Sequence, residues 1–339
     1  MAGPPPSPTE PPDVDVDEVE VPARSGLAVP TAVVVGMLAL ALFQQALAPF
    51  FDRPGLQTWS TVFVSITVQA LPFLTLGVVV SGLLAAYLPR DLAARIMPNN
   101  PALAVPAAGV AGVALPGCEC GSVPIAGRLV ARGASPAPAL TFLLAAPAIN
   151  PIVIASTVVA FPGQPEVALA RFVASLLTAV IVGWMWLRVG RNDFVERLRS
   201  EPESTASRWV VFRSTTIHDL LHAGGYLVLG AGVAATLRVV VPASVVDAVG
   251  GSGVLAVLTM AALAVVLSIC SEADAFVAVG LTQFSLTSRL VFLVVGPVVD
   301  LKLIALQVGT FGRPMVARFA PLCLVTAIVC AVLVGTVLL

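Results

Sequence analysis

The chain has 339 residues, 58% of them hydrophobic and only 11% charged, where an ordinary soluble domain carries roughly 25%. So few charges cannot clothe a water-soluble surface, and with a mean hydropathy of +0.98 the composition excludes a soluble globular domain in favour of a polytopic membrane protein. A net charge of −1 excludes the basic face that nucleic acid requires, and five cysteines, odd in number and set in apolar or near-apolar segments, exclude a secreted disulfide framework.

Residues 1–27 read as a disordered acidic, Pro-rich tail. Six acids precede Arg24, proline holds the backbone extended, and the basic start of a signal peptide is missing. Nine apolar segments follow, at about 28–50, 60–88, 101–118, 137–161, 167–188, 216–240, 253–270, 288–311 and 317–339. Pro72 predicts a tilt or break in the second. Trp184, Trp186 and Arg188 at the end of the fifth mark a membrane interface. The polar stretch 189–215 carries Arg191, Arg197, Arg199, Arg208 and Arg213, and the positive-inside rule makes it a cytoplasmic basic linker.

An internal repeat underlies this order. Cys120 and Asn150 stand 30 residues apart, as do Cys270 and Asp300. Pro147 and Pro297 share an offset, as do Ser135 and Ser285, and LTLG ending at Gly77 matches LVLG ending at Gly230. The expected organisation is an extra first transmembrane segment over 28–58, a first repeat over 59–188, the linker 189–215 and a second repeat over 216–339. Duplicated halves around a central site are a common transporter plan. The fold class is therefore all-α: a polytopic transmembrane bundle of two repeats with broken or re-entrant helices.

Polar groups inside this apolar sequence are the candidates for chemistry. In Pro116-Gly117-Cys118-Glu119-Cys120-Gly121-Ser122-Val123-Pro124, the Pro and Gly residues argue against a regular helix, and irregular backbone at membrane depth needs a protein-lined cavity. Two thiols at i and i+2 converge on one side of an extended strand, where thiolates suit soft ions. Cys270 holds the repeat position of Cys120, so Cys118, Cys120 and Cys270 form a candidate metal or substrate site. Two structural thiols are the rival reading. Glu272, Asp274 and Asp300 are candidate ion-coupling groups, because desolvation penalises a buried carboxylate's charged form and favours proton uptake. Glu272 and Asp274 at a solvated helix end are the alternative. Asn150, between Pro147 and Pro151, is a candidate substrate contact. On a regular helix Asp300 and Lys302, at i and i+2, do not face each other, so mutual neutralisation requires a break at Pro297. Gly117, Gly121, Pro124, Pro147, Pro151 and Pro297 are expected hinges.

His218 and His222 in HDLLH share a helix face but lack the pattern of a metalloprotease, and an interfacial position is expected. Arg128 and Arg132 read as cytoplasmic anchors, with anion attraction as the other reading. Neither a nucleotide-binding pattern nor a catalytic triad is present, so no cofactor and no enzyme activity are expected.

The stretch PGCECGSVPIAGRLVARGASPAPALTFLLAAPAINPIVI, with CSEADAFVAVGL and GPVVDLKLI in the second half, resembles the predicted-permease family that includes the organoarsenical efflux permeases. The resemblance covers roughly residues 60–335. It implies a multi-pass protein of the bacterial cell membrane (the inner membrane) that exports a small solute. Cys118, Cys120, Gly121 and Pro124 match the thiol motif, Pro147, Asn150 and Pro151 the following one, and Cys270, Glu272 and Asp274 the second half. In the family the residue between the paired cysteines is usually small; here it is Glu119. The expectation is a permease for a thiophilic solute, arsenical or soft metal, coupled to an ion gradient. The alternatives are a membrane-embedded metal-binding or assembly protein without transport, and a membrane thiol redox enzyme. Membrane lipid and the solute are the expected partners, nucleic acid is not, and a second copy or an accessory protein stays open.

Overall fold

The computed structural model describes residues 54–87, 98, 100–114, 119–190, 193–199, 207–240 and 253–339. The expected tail over 1–27, the extra segment up to residue 53, and Gly117 and Cys118 lie outside the described residues.

The first described helix, α1, spans Pro54–Tyr87. It is followed by α2 (Pro101–Ala111), a 3-10 turn at Gly112–Ala114, α3 (Glu119–Ala131), α4 (Pro136–Ile149), α5 (Pro151–Ala160) and α6 (Pro165–Val189). Next come α7 (Asp193–Arg199), α8 (Arg208–Val240), α9 (Val254–Leu267), α10 (Asp274–Gly280), α11 (Leu286–Val295), α12 (Leu301–Phe311) and α13 (Arg313–Leu338). Among the described residues five helical stretches are long and apolar enough to cross a membrane: Gly55–Tyr87, Pro136–Ala160, Pro165–Val189, Arg208–Leu237 and Arg313–Leu338. The protein is an all-α, multi-pass membrane bundle. Val64, Val68, Leu71, Leu229 and Leu333 lie exposed on the long helices, as lipid-facing side chains should.

Proline explains many of the boundaries. Pro101, Pro136, Pro151 and Pro165 each occupy the first turn of a helix, where the missing N–H has no intrahelical partner to lose. Pro72, Pro106, Pro124, Pro147 and Pro321 sit inside helices instead.

Several segments differ from their sequence reading. The helix of the third segment ends at Ala111 and passes into the 3-10 turn Gly112–Ala114, and a separate helix, α3, starts at Glu119 and continues through Pro124. Cys120 therefore lies in a helical first turn and not on an extended strand. The fourth segment is two helices divided at Asn150, and the eighth is two helices divided over 296–300. Within the stretch read as a linker stands α7, and α8 already begins at Arg208. Trp184 is partly exposed and donates to the Ala102 carbonyl at 3.0 Å. Trp186 is buried edge-on against Phe319, because two residues turn it to the opposite face of α6.

Glycines set close helix contacts near the candidate site. A Cβ on Gly121 of α3 would stand 2.9 Å from the Phe73 carbonyl oxygen of α1, beside Gly77. A Cβ on Gly230 of α8 would stand 2.6 Å from the Lys302 Cα of α12. Small residues there let backbones meet, the usual device of membrane helix packing.

Candidate functional site: a buried charge network at two helix starts

The site is assembled from the N-terminal ends of α3 and α12 and the non-helical turn 268–273. Lys302 is the only lysine in the chain, and it is buried. Its Nζ lies 2.6 Å from Oε1 of Glu119, donates to the Ser268 carbonyl at 2.9 Å, and stands 3.4 Å from Oδ2 of Asp300 and 4.0 Å from Sγ of Cys270. Asp300 precedes α12 in an extended conformation, φ −142° and ψ 170°, so the opposition of i and i+2 on a helix does not apply. The chain is broken over 296–300, and at the end of this break the capping aspartate and the lysine of the first turn meet. Asp300 also caps α12, its Oδ1 accepting from the Leu303 N–H at 2.6 Å.

Glu119 ties this group to the turn. Its Oε2 accepts from Ser271 Oγ at 3.2 Å, and its Oε1 from the Cys270 thiol at 3.8 Å. Ser268, in the left-handed conformation at φ 48°, accepts from the Leu301 N–H at 3.2 Å through its hydroxyl. A second ion pair continues the chain of contacts. Arg171 of α6 donates to Asp274 Oδ2 at 2.7 Å, to the Ser271 carbonyl at 3.1 Å and to Thr157 Oγ1 at 2.8 Å. The contacts thus run from Asp300 through Lys302, Glu119, Ser271 and Arg171 to Asp274.

Charge does not balance along this chain. Glu119, Asp274 and Asp300 are buried acids, and both carboxylate oxygens of the neighbouring Glu272 are buried as well. Only Lys302 and Arg171, among the described residues, oppose these four carboxylates. Among the described residues Glu272 Oε1 and Oε2, Asp274 Oδ1 and Asp300 Oδ2 accept no hydrogen bond. An uncompensated charge in an apolar interior is costly.

Other predicted residues fall nearby or in distinct roles. Cys120 and Cys270 are both buried and belong to one apolar cluster with Val298, Val299 and Leu303. Asn150 is buried and caps α5, accepting from the Val153 N–H at 2.9 Å and donating to the Ala146 carbonyl at 3.1 Å. Pro124 and Pro147 are inside helices, Pro151 opens α5, Pro297 lies in the 296–300 break, and Gly121 is a packing contact. Among the described residues no group of three or more His, Cys, Asp or Glu side chains is disposed to hold a metal.

Two residues central to the network escape the sequence reading: Lys302 enters it only as a neighbour of Asp300, and Arg171 does not enter it. A lone arginine in the middle of the apolar run PEVALARFVASLL was the available signal.

A cavity of about 360 Å³ lies at the other ends of α3 and α12, lined among others by Pro124, Gly127, Arg128, His218, His222 and Thr310. Glu119 is about 12 Å from Gly127 along α3, and Lys302 roughly 10 Å from Gly309 along α12, at 1.5 Å per residue. Asp219, also in the lining, pairs with Arg128 at 3.2 Å and accepts from Ser81 at 2.8 Å. His218 and His222 stack at 5.8 Å with exposed rings, and His222 Nε2 sits 3.2 Å from the Gly309 carbonyl. The histidines thus line a cavity, and Arg128 is tied by an ion pair to α8. Arg132 donates to the Ala85 carbonyl.

Residues 56–336 match the family described as "Predicted permease" (ArsP_1). The chain belongs to this permease family. It is 35% identical over 290 residues to the UPF0718 protein YcgR of Bacillus subtilis, covering 82% of this chain and 96% of the relative. It is 30% identical over 283 residues to a Streptococcus mutans protein named "Putative two-component membrane permease complex subunit", covering 81% and 94%. No solved structure matches it. Membership places the chain among membrane permease-like proteins.

Proposed function

We propose that this permease exports a small thiophilic solute, an arsenical or soft-metal species, along a path between α3 and α12, and that an ion gradient drives it. The observation that carries the reading is the buried network at the starts of those helices, where the Cys270 thiol, two carboxylates and the only lysine meet inside a membrane bundle. Ionisable groups at such depth are costly and mark substrate or ion pathways. The cavity at the far ends of the same two helices supplies an entrance. Cys120 and Cys270, with Cys118, are the cargo thiols in this reading, and Asn150 contributes an amide to the path.

Glu272, Asp274 and Asp300 are the coupling groups. Their oxygens without hydrogen bonds and the excess of carboxylates over cations support uptake of a proton or cation. Residues 59–188 and 216–339 are read as duplicated halves with broken, re-entrant helices. In support, Asn150 and Asp300 each cap a helix after a break, and Gly77 and Gly230 each bring a long helix against a shorter one. A partner subunit belongs to the reading too, since the streptococcal relative is named as part of a complex.

Flux into vesicles holding the purified chain tests the proposal, with methylarsenite, antimonite, Cu(I) and Zn(II) as solutes. Wild type should carry at least one of them, and Cys118→Ser, Cys120→Ser and Cys270→Ser should each reduce that flux. Undiminished flux in the triple serine variant would end the thiolate-cargo reading.

A further inference from the structure

The Lys302 ammonium is surrounded by more donors than it can use. Around one point lie a Glu119 oxygen at 2.6 Å, the Ser268 carbonyl oxygen at 2.9 Å, an Asp300 oxygen at 3.4 Å and the Cys270 sulfur at 4.0 Å. Asp300 is fully buried, yet its Oδ2 takes no hydrogen bond from any described residue while it faces that point. Two carboxylates carry two negative charges, and a single ammonium offsets one of them. A divalent ion at the same point would offset both. The donors also have a definite character: two carboxylate oxygens, a carbonyl oxygen and a thiol, a mixed set that suits a cation of borderline softness better than Mg2+ or Ca2+.

We propose that Lys302 is a tethered stand-in for cargo: its ammonium fills a site that takes, in its place, a divalent cation of borderline softness held by Glu119, Asp300, the Ser268 carbonyl and Cys270. The inference rests on the permease reading and names the cargo class of the same site. With Nζ in place the described acids and thiols are not disposed to hold a metal, so the lysine has to leave and the donors close in before the cation is bound. A lysine is suited to the task, being a compact point charge on a flexible stem that can swing away. Glu272 lies within electrostatic reach of Lys302, and its two unbonded oxygens offer the displaced ammonium a partner. Binding of cargo and movement of the α12 side chain are then one event.

The test uses the purified full-length chain in detergent, with Zn(II) and Mg(II) as the ions and Co(II) as a spectroscopic probe of sulfur ligation. Lys302→Met should bind one Zn(II) at least roughly tenfold more tightly than wild type, since no tethered charge competes for the donors. Zn(II), and not Mg(II), should raise its thermal midpoint. Co(II) should give a thiolate charge-transfer band that Cys270→Ser abolishes, and adding Glu119→Gln to Lys302→Met should return Zn(II) affinity to the wild-type level or below. A folded Lys302→Met variant that binds Zn(II) no better than wild type overturns the proposal. Should Lys302→Met fail to fold, the wild-type chain decides. As the sole lysine, Lys302 can be followed by amine acylation and peptide mapping, and Zn(II) should accelerate its labelling several-fold; unchanged labelling overturns the proposal. Loss of these binding signals with thiol-dependent flux intact removes only the tethered-cation site, whereas binding without any flux removes the permease reading and leaves the site.

Discussion

Asn150 and Asp300 perform the same structural task in different company. Each follows a break and caps the next helix with a side-chain oxygen, accepting from the N–H three residues on. A cap needs an acceptor and no charge; Asn and Asp serve about equally well. The charge on Asp300 is therefore surplus to its cap, and its second oxygen is turned to Lys302. At the matching offset after Asn150 stands Ile152, which is 47% exposed. One break is a neutral joint, and the other carries the same joint with an ion pair built on it. The comparison separates what the backbone requires from what a buried charge is kept for.

Removing the cation should produce the largest contrast. Lys302→Ala leaves Glu119 and Asp300 buried without their counter-ion, a change that costs about 3–5 kcal/mol when a buried pair is broken. Ile152→Ala, at the same offset in the other helix, should cost well under that, about 1 kcal/mol. Thermal unfolding of both variants in detergent checks the difference, and equal losses would break the comparison. Next in size is Asn150→Ala, which removes the cap of α5 and leaves the Ala146 carbonyl without its amide donor; about 1–2 kcal/mol is expected from the same measurement. Asp300→Asn keeps the cap and removes the charge. Its stability should stay within about 1 kcal/mol of wild type while vesicle flux falls several-fold, because Lys302 keeps Glu119 and loses its second carboxylate. The smallest effect is expected at the cavity mouth: Asp219→Asn breaks a partly exposed pair with Arg128 and should cost about 1 kcal/mol or less, diminishing as salt is added.

The class of fold was legible because composition and apolar length suffice for it. Pro-Ala-Ile-Asn-Pro also announced its break, since the residue before a proline is driven out of the helical region. The second break was harder to place. Gly-Pro-Val-Val-Asp looks like the middle of an apolar span, and only tertiary contact decides that Asp300 leaves the helix and turns to Lys302. Arg171 was hidden by its isolation, for its partner Asp274 is 103 residues away. Sequence spacing carries local chemistry well, but a charge network between distant segments is set by packing.

In the proposed export, solute passes between α3 and α12, from the cavity to the charge network. Gly127 and Thr310 face each other across that seam, a Cβ on Gly127 standing 2.8 Å from Thr310 Cγ2. Cysteines at these two positions are close enough to bridge. Flux through vesicles carrying Gly127→Cys/Thr310→Cys should fall on oxidation well below that of either single variant under the same treatment, and return on reduction. A fully formed crosslink that leaves flux at the reduced level would contradict the account.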